Sequence, residues 1–222
     1  PVTVKKNESA MLPFLQQRLS ARKLLIYSDA SWQNPMTAAE LTNSTGKTLD
    51  GGPITVFDNN AYAGEALVAT FKAGDKRLIS YGVDLGTRIT TKLDRESELV
   101  REIRLRRGVL TTRTALQETK TYTIQNVDAK AKTLVIEHPI REAFKLLHMK
   151  PSETTSSAYR FEVKLPASGA EKFAVSEENL YENSLAVVNL TPDVLGTYAQ
   201  NKALSAAGRQ QLERIAVAKR AI

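Results

Sequence analysis

The stretch Tyr159-Arg160-Phe161-Glu162-Val163-Lys164-Leu165 alternates apolar and charged residues without a break. A period of two puts Tyr159, Phe161, Val163 and Leu165 on one face and the three charges on the other, which is the pattern of a half-buried strand. The same signature recurs on both sides. Upstream, Tyr122 and Ile124 alternate with Thr121, Thr123 and Gln125, and Asn126-Val127-Asp128-Ala129 supplies turn chemistry. Lys132 to Ile136 resumes as a strand, and Pro139 ends it because proline cannot donate to a ladder. Downstream, Phe173 and Val175 begin a strand after the turn from Pro166 to Gly169.

The first half reads alike. Lys23 to Tyr27, Ala38 to Thr42, Ile54 to Phe57 and Ala61 to Gly64 are short strands separated by polar turns, among them Asp58-Asn59-Asn60. From Arg77 to Leu85 the residues Ile79, Tyr81, Val83 and Leu85 share one parity. Leu99 to Leu116 carries Arg107-Gly108 near its middle, so a hairpin or a bulged long strand is expected; a helix from Leu93 to Ile103 competes. At the end the period changes. Thr191-Pro192-Asp193 is a helix start, with Thr as the cap, Pro at the first position and Asp near the positive end of the dipole. Ser205 caps a second helix in which Leu212, Ile215, Lys219 and Ile222 recur at spacings of three and four.

The predicted fold is mainly β: antiparallel, β-sandwich-like, with a C-terminal helical segment. Residues 1–92 are read as an N-terminal β sub-domain, 93–190 as a second sandwich-like sub-domain and 191–222 as a helical segment. Because Pro1-Val2-Thr3-Val4 already alternates and Lys219 to Ile222 is still in helical phase, the chain reads as a piece of a longer protein whose helix continues into a coiled coil. No apolar run is long enough to span a membrane as a helix.

The chain has 31 basic and 24 acidic residues, a net charge of +7 that favours polyanionic partners over cationic ones. It has no cysteine, which removes disulfides, thiolate metal sites and cysteine nucleophiles together. Its two histidines, His138 and His148, have no metal-ligand spacing around them and are read as structural or surface residues. No nucleophile elbow or phosphate-binding glycine loop is present; Gly46-Lys47-Thr48 lacks the upstream glycine and reads as a loop. Asp58-Asn59-Asn60 reads as a turn rather than a calcium loop. No cofactor and no metal is expected.

The densest basic stretch runs from Arg95 to Arg107, and within it Arg104, Arg106 and Arg107 are the candidate polyanion ligands, because guanidinium forks match oxyanions. No aromatic residue is interleaved for base stacking, so nucleic acid is not expected. A solvated strand face whose arginines keep an edge from pairing is preferred to a binding patch. Trp32 and Tyr62, beside loops, are read as core anchors before sugar platforms.

Two segments, Gly51-Gly52-Pro53-Ile54-Thr55-Val56-Phe57 and Tyr62-Ala63-Gly64-Glu65-Ala66-Leu67, are followed by Lys76 to Leu85, Thr133 to Pro139, Tyr159 to Val163 and Lys202-Ala203-Leu204-Ser205. Together they resemble the C-terminal domain of mucoidy-inhibitor-A-like bacterial proteins, a domain of unknown function. That resemblance implies an exported envelope protein combining β domains with coiled-coil helices, and it maps no catalytic residue. Three functions follow as expectations. The first is a non-catalytic structural or interaction module that binds a protein partner or itself through the C-terminal helix. The second is a module for acidic polysaccharide, and the third a hydrolase of envelope polymers using carboxylates distant in sequence.

Overall fold

The computed structural model describes residues 3–10, 16–28, 31–95 and 98–221. Of the strand expected from Pro1 to Val4, Pro1 and Val2 lie outside the described residues, as do Ile222 and Glu96 and Ser97 of the basic stretch, while Thr3 and Val4 are described and form no strand. Strand accounts for 54% of the structure and helix for 12%, so the fold is mainly β.

One sheet has six strands in the order β11 (Glu153–Thr154), β12 (Ala158–Leu165), β9 (Lys132–Pro139), β1 (Ser20–Tyr27), β2 (Met36–Thr42) and β5 (Lys76–Val83). The second runs β10 (Phe144–Leu146), β13 (Ala170–Ala186), β8 (Val109–Asn126) and β6 (Thr87–Arg95), with β7 (Leu99–Arg106) beside β6 on the same flank of β8. A separate hairpin is made by β3 (Gly52–Asp58) and β4 (Ala61–Val68). Strand pairs are antiparallel except β1 with β9, which run parallel. Strands from before and after residue 92 therefore share the six-stranded sheet, and residue 92 itself lies inside β6.

The two sheets face each other across Leu25 and Tyr27 of β1, Leu134 and Ile136 of β9 and Phe161 and Leu165 of β12 on one side. On the other side are Ile89, Tyr122, Ile124 and Val175 of the second sheet. Tyr122, Ile124, Phe161, Leu165 and Val175 are among the residues the alternation singles out, because a period of two places every second side chain in the interior. The outer face of the six-stranded sheet buries Leu24, Ala38 and Val135 in a smaller cluster.

Turn residues behave as their chemistry requires. Asn59 and Asn60 have φ of 50° and 62°, and Arg107 and Gly108 have 50° and 75°. Each pair closes a two-residue hairpin between paired strands, where positive φ matches the strand twist. Arg107-Gly108 is thus a hairpin turn, and the helix expected as an alternative over Leu93–Ile103 is replaced by the strands β6 and β7. The parity of β5 holds at Ile79 and Tyr81, both 7% exposed, but fails at Val83 and Leu85, 49% and 81% exposed. Val83 pairs with Met36, the first residue of β2, so the chain beyond runs past the end of the sheet. Trp32 and Tyr62 are 65% and 63% exposed, which corrects their reading as core anchors: Trp32 lies ahead of β2 and Tyr62 lies in β4 of the separate hairpin, opposite Phe57.

The second sheet does not stop at the sandwich. β8 is 18 residues long and β13 is 17, in register from Val109–Ala186 to Gln125–Ala170. At about 3.3 Å per residue this ribbon is about 60 Å long. Its near end lies in the sandwich and its far end carries α1 (Pro192–Ala199) and α2 (Ala206–Arg220). Thr191 and Ser205 cap them, each hydroxyl accepting from the backbone N–H three residues on. A second core forms there from Ile103, Leu110, Val187, Leu195, Ala199, Leu204, Leu212 and Ala216. The last turn of α2 is tied back by Lys219, whose Nζ donates to the carbonyls of Val188 and Leu190 at 2.5 and 2.9 Å. Lys219 therefore belongs on the inward stripe the helical spacing marks, because orphan carbonyls wait for it there.

Candidate functional site

Two places concentrate chemistry: a buried ionic cluster where the ribbon leaves the sandwich, and the charged surface of the helical end. The cluster starts from a cross-strand row. Arg95 of β6 pairs with Glu118 of β8, which pairs with Glu177 of β13. Two carboxylates directly opposite each other repel, and both are only 2% exposed. Arg141, in the turn that carries the chain from β9 to β10, resolves the conflict. Its Nη1 donates to Glu118 Oε2 at 2.6 Å, and its Nη2 and Nε donate to Glu177 Oε2 at 2.5 and 3.1 Å. The guanidinium lies 3.6 Å from the Phe144 ring centroid, and Arg95 Nε closes the other side of Glu118 at 2.6 Å. Hydrogen bonds from Arg141 and Arg95 hold the Glu118 carboxyl below the usual carboxylate range, against the opposing effect of burial.

His138, near the end of β9, completes the cluster. Its Nδ1 lies 2.9 Å from the Tyr122 hydroxyl and its Nε2 3.1 Å from Glu177 Oε2. The second contact is misdirected for a hydrogen bond, so Nε2 and Glu177 Oε1 are both buried without a hydrogen-bond partner. Burial pushes the His138 imidazole below its ordinary value of 6.5, and the neighbouring Glu177 opposes this only in part. Burial also raises the Tyr122 phenol. Tyr122 and His138 Nδ1 share one hydrogen bond, whose donor is set by the tautomer of the ring. Tyr122, His138 and Glu177 are 1%, 3% and 2% exposed, so no substrate reaches them while the sheets are packed. The cluster acts as a clamp between the sheets, and it gives the fold a pH dependence. Below pH 6.5 the unfolded chain takes up the His138 proton before the folded one does, so stability falls as pH drops through that range. Glu118 adds a second loss, as pH falls from 4.5 through its depressed folded value. In urea titrations at stepped pH, His138→Gln is expected to remove the first fall and leave the second; persistence of the first would place its origin elsewhere.

The surface charges divide sharply between the two ends. Outside residues 98–116 and 180–221 basic and acidic residues nearly balance, 21 of the 31 against 19 of the 24, and several of the basic ones are ion-paired. Arg22 meets Glu40 and Glu162, Arg160 meets Glu137 and Glu153, and Lys132 meets Asp84 and Asp128. By contrast residues 98–116 and 180–221, the ribbon's far half and the helices, carry ten basic and five acidic side chains, +5 of the +7 total. The three candidate arginines of the basic stretch differ in state. Arg104 is engaged by Glu102, Nε to Oε1 at 2.6 Å and Nη2 to Oε2 at 3.0 Å. Arg106 and Arg107 are exposed, and among the described residues neither is in an ion pair. A bulge between Val100 and Glu102 turns Arg101 toward Glu178, 3.0 Å away. The structure also brings Arg214 of α2 to the Arg107 turn, where both line one depression.

Among the described residues no group of three or more His, Asp or Glu side chains is arranged to hold a metal ion. No helix is long and apolar enough to cross a membrane. The chain finds no match among family models, among curated proteins or among solved structures.

Proposed function

We propose that the chain is a non-catalytic protein-interaction module that offers its helical end to a protein partner or to a second copy. The observation that carries this reading is the separation of roles along the ribbon. The rest of the chain nearly balances its charges, while the helical end concentrates net positive charge beside exposed apolar side chains. Val188 and Val217 there are 74% and 66% exposed. Exposed apolar residues inside a charged rim are the composition of a contact surface. A hydrolase is not favoured by the one buried carboxylate pair described above, because Arg141 neutralises it. An exported, envelope location is proposed on the family resemblance alone.

The test is a photo-crosslinking side chain placed in the protein within its native host. At Val188 or Val217 it is expected to give discrete adducts, with another protein or a second copy. At Thr91, an exposed position on the edge of β6, none is expected. Adducts at Thr91 alone, or none at either helical-end position, would defeat the proposal.

A further inference from the structure

We infer that the groove between the β7–β8 turn and α2 binds an acidic, apolar-flanked peptide segment of a partner protein, with Arg107 and Arg214 taking its carboxylates. This rests on the reading of the helical end as an interaction surface and adds the site and the partner's chemistry.

The groove has a volume of about 320 Å³ and is lined by Leu105, Arg107, Gly108, Gln211, Arg214 and Ile215. Its two walls have different origins. On one side the two-residue turn, with Arg107 at φ 50°, places that guanidinium at the tip of the hairpin. On the other, Gln211, Arg214 and Ile215 share one face of α2 by their spacing of three and four. Leu105 and Ile215 pack against the distal core and stay partly exposed, which gives the groove an apolar floor.

Three properties select the occupant. Among the described residues neither arginine is in an ion pair, so each keeps its donors for a carboxylate, which it grips bidentately. The groove on the outer face of the six-stranded sheet is larger, about 530 Å³. It is lined by Arg22, Lys76, Arg77 and Arg160, but all three arginines are ion-paired, with Glu40 and Glu162, with Asp75 and with Glu153, so it offers an anion less. Finally, the distal groove has no aromatic wall. A sugar or a base is held by stacking on a ring, whereas Leu105 and Ile215 suit an aliphatic side chain. Carboxylates alternating with aliphatic side chains fit the whole surface; a polyanion without apolar groups uses only half of it.

The experiment titrates the isotopically labelled chain with a short peptide in which Glu alternates with Leu, followed by amide resonances. Shifts are expected at Leu105, Gly108, Gln211 and Ile215. The double variant Arg107→Asn, Arg214→Gln should weaken binding on the order of ten-fold or more. Asn tolerates the positive φ of the turn and Gln keeps the helix, so the variant retains its fold, checked by its unchanged spectrum elsewhere. A Gln–Leu peptide should produce no shift. Equal shifts from polyglutamate or polygalacturonate would overturn the inference in favour of a plain polyanion site, and shifts elsewhere, or none, would overturn it outright. Crosslinks at Val188 and Val217 that persist after such a failure would leave the interaction reading standing and remove only this groove.

Discussion

Arg141→Met is expected to destabilise the protein by about 3 kcal/mol at neutral pH, because it strands two carboxylates in the interior. Glu118 and Glu177 are cross-strand partners, each 2% exposed, and the Arg141 guanidinium reaches both. Breaking a buried ionic network by removing one partner costs about 3–5 kcal/mol. The lower end applies here, since the Arg141 side chain is 36% exposed and part of its charge is already screened. Methionine keeps a flexible stem against Phe144, so the loss measures charge rather than packing. Arg95 cannot compensate: its side chain is 72% exposed and it reaches only Glu118. Arg141 is the largest cause of the depressed Glu118 value, so the variant lacks stabilisation that the wild type itself loses as pH falls below 4.5, and the gap between them should narrow there. Arg141→Lys should recover part of the loss, because a point charge cannot serve both carboxylates as a planar fork does. Denaturant unfolding in a double-mutant cycle with Glu177→Gln checks the attribution. A coupling of about 1 kcal/mol or more is expected, and additive losses would show that Arg141 does not act through Glu177.

That network was only half legible in the sequence, and the reason is physical. Glu118 falls in phase with Tyr122 and Ile124, and Glu177 with Phe173 and Val175, so each carboxylate sits on the parity that alternation marks as interior. A charge on an apolar parity is a local signal. The partner that makes it tolerable is not local: Arg141 arrives from a turn after Pro139, and nothing in its neighbours announces two buried acids. The same division runs through the fold. Strands, the Asn59-Asn60 and Arg107-Gly108 turns, and the Thr191 and Ser205 caps depend on residues close in sequence and were readable. Sheet order, the parallel β1–β9 pair and the length of the ribbon depend on contacts between distant segments, which alternation leaves open. Of the basic stretch, composition exposed Arg104, Arg106 and Arg107 together. Only the bulge in β7 and the placement of Glu102 and α2 separate an engaged Arg104 from a free Arg107 facing Arg214.

Leu212→Ala should cost the helical end about 3 kcal/mol and the sandwich almost nothing. Leu212 is fully buried on the inward face of α2, and removing a leucine side chain from such a site forfeits its transfer energy and leaves a cavity. Alanine suits a helix, so the loss is one of packing. It stays local because the residues of the distal core and those of the sandwich core form separate sets, joined through the backbone ladder of β8 and β13. A ladder alone transmits little side-chain packing energy, since each core excludes water by itself. Native-state hydrogen exchange resolves this. Amides of α1, α2 and the far end of β8 should lose protection, while those of β9 and β12 keep theirs. Leu134→Ala, in the sandwich, should give the mirror image. A uniform fall in both variants would mean that the ribbon makes one cooperative unit of the two cores. A local fall would mean that the helical end can loosen, and its binding surface with it, without unfolding the domain that holds it.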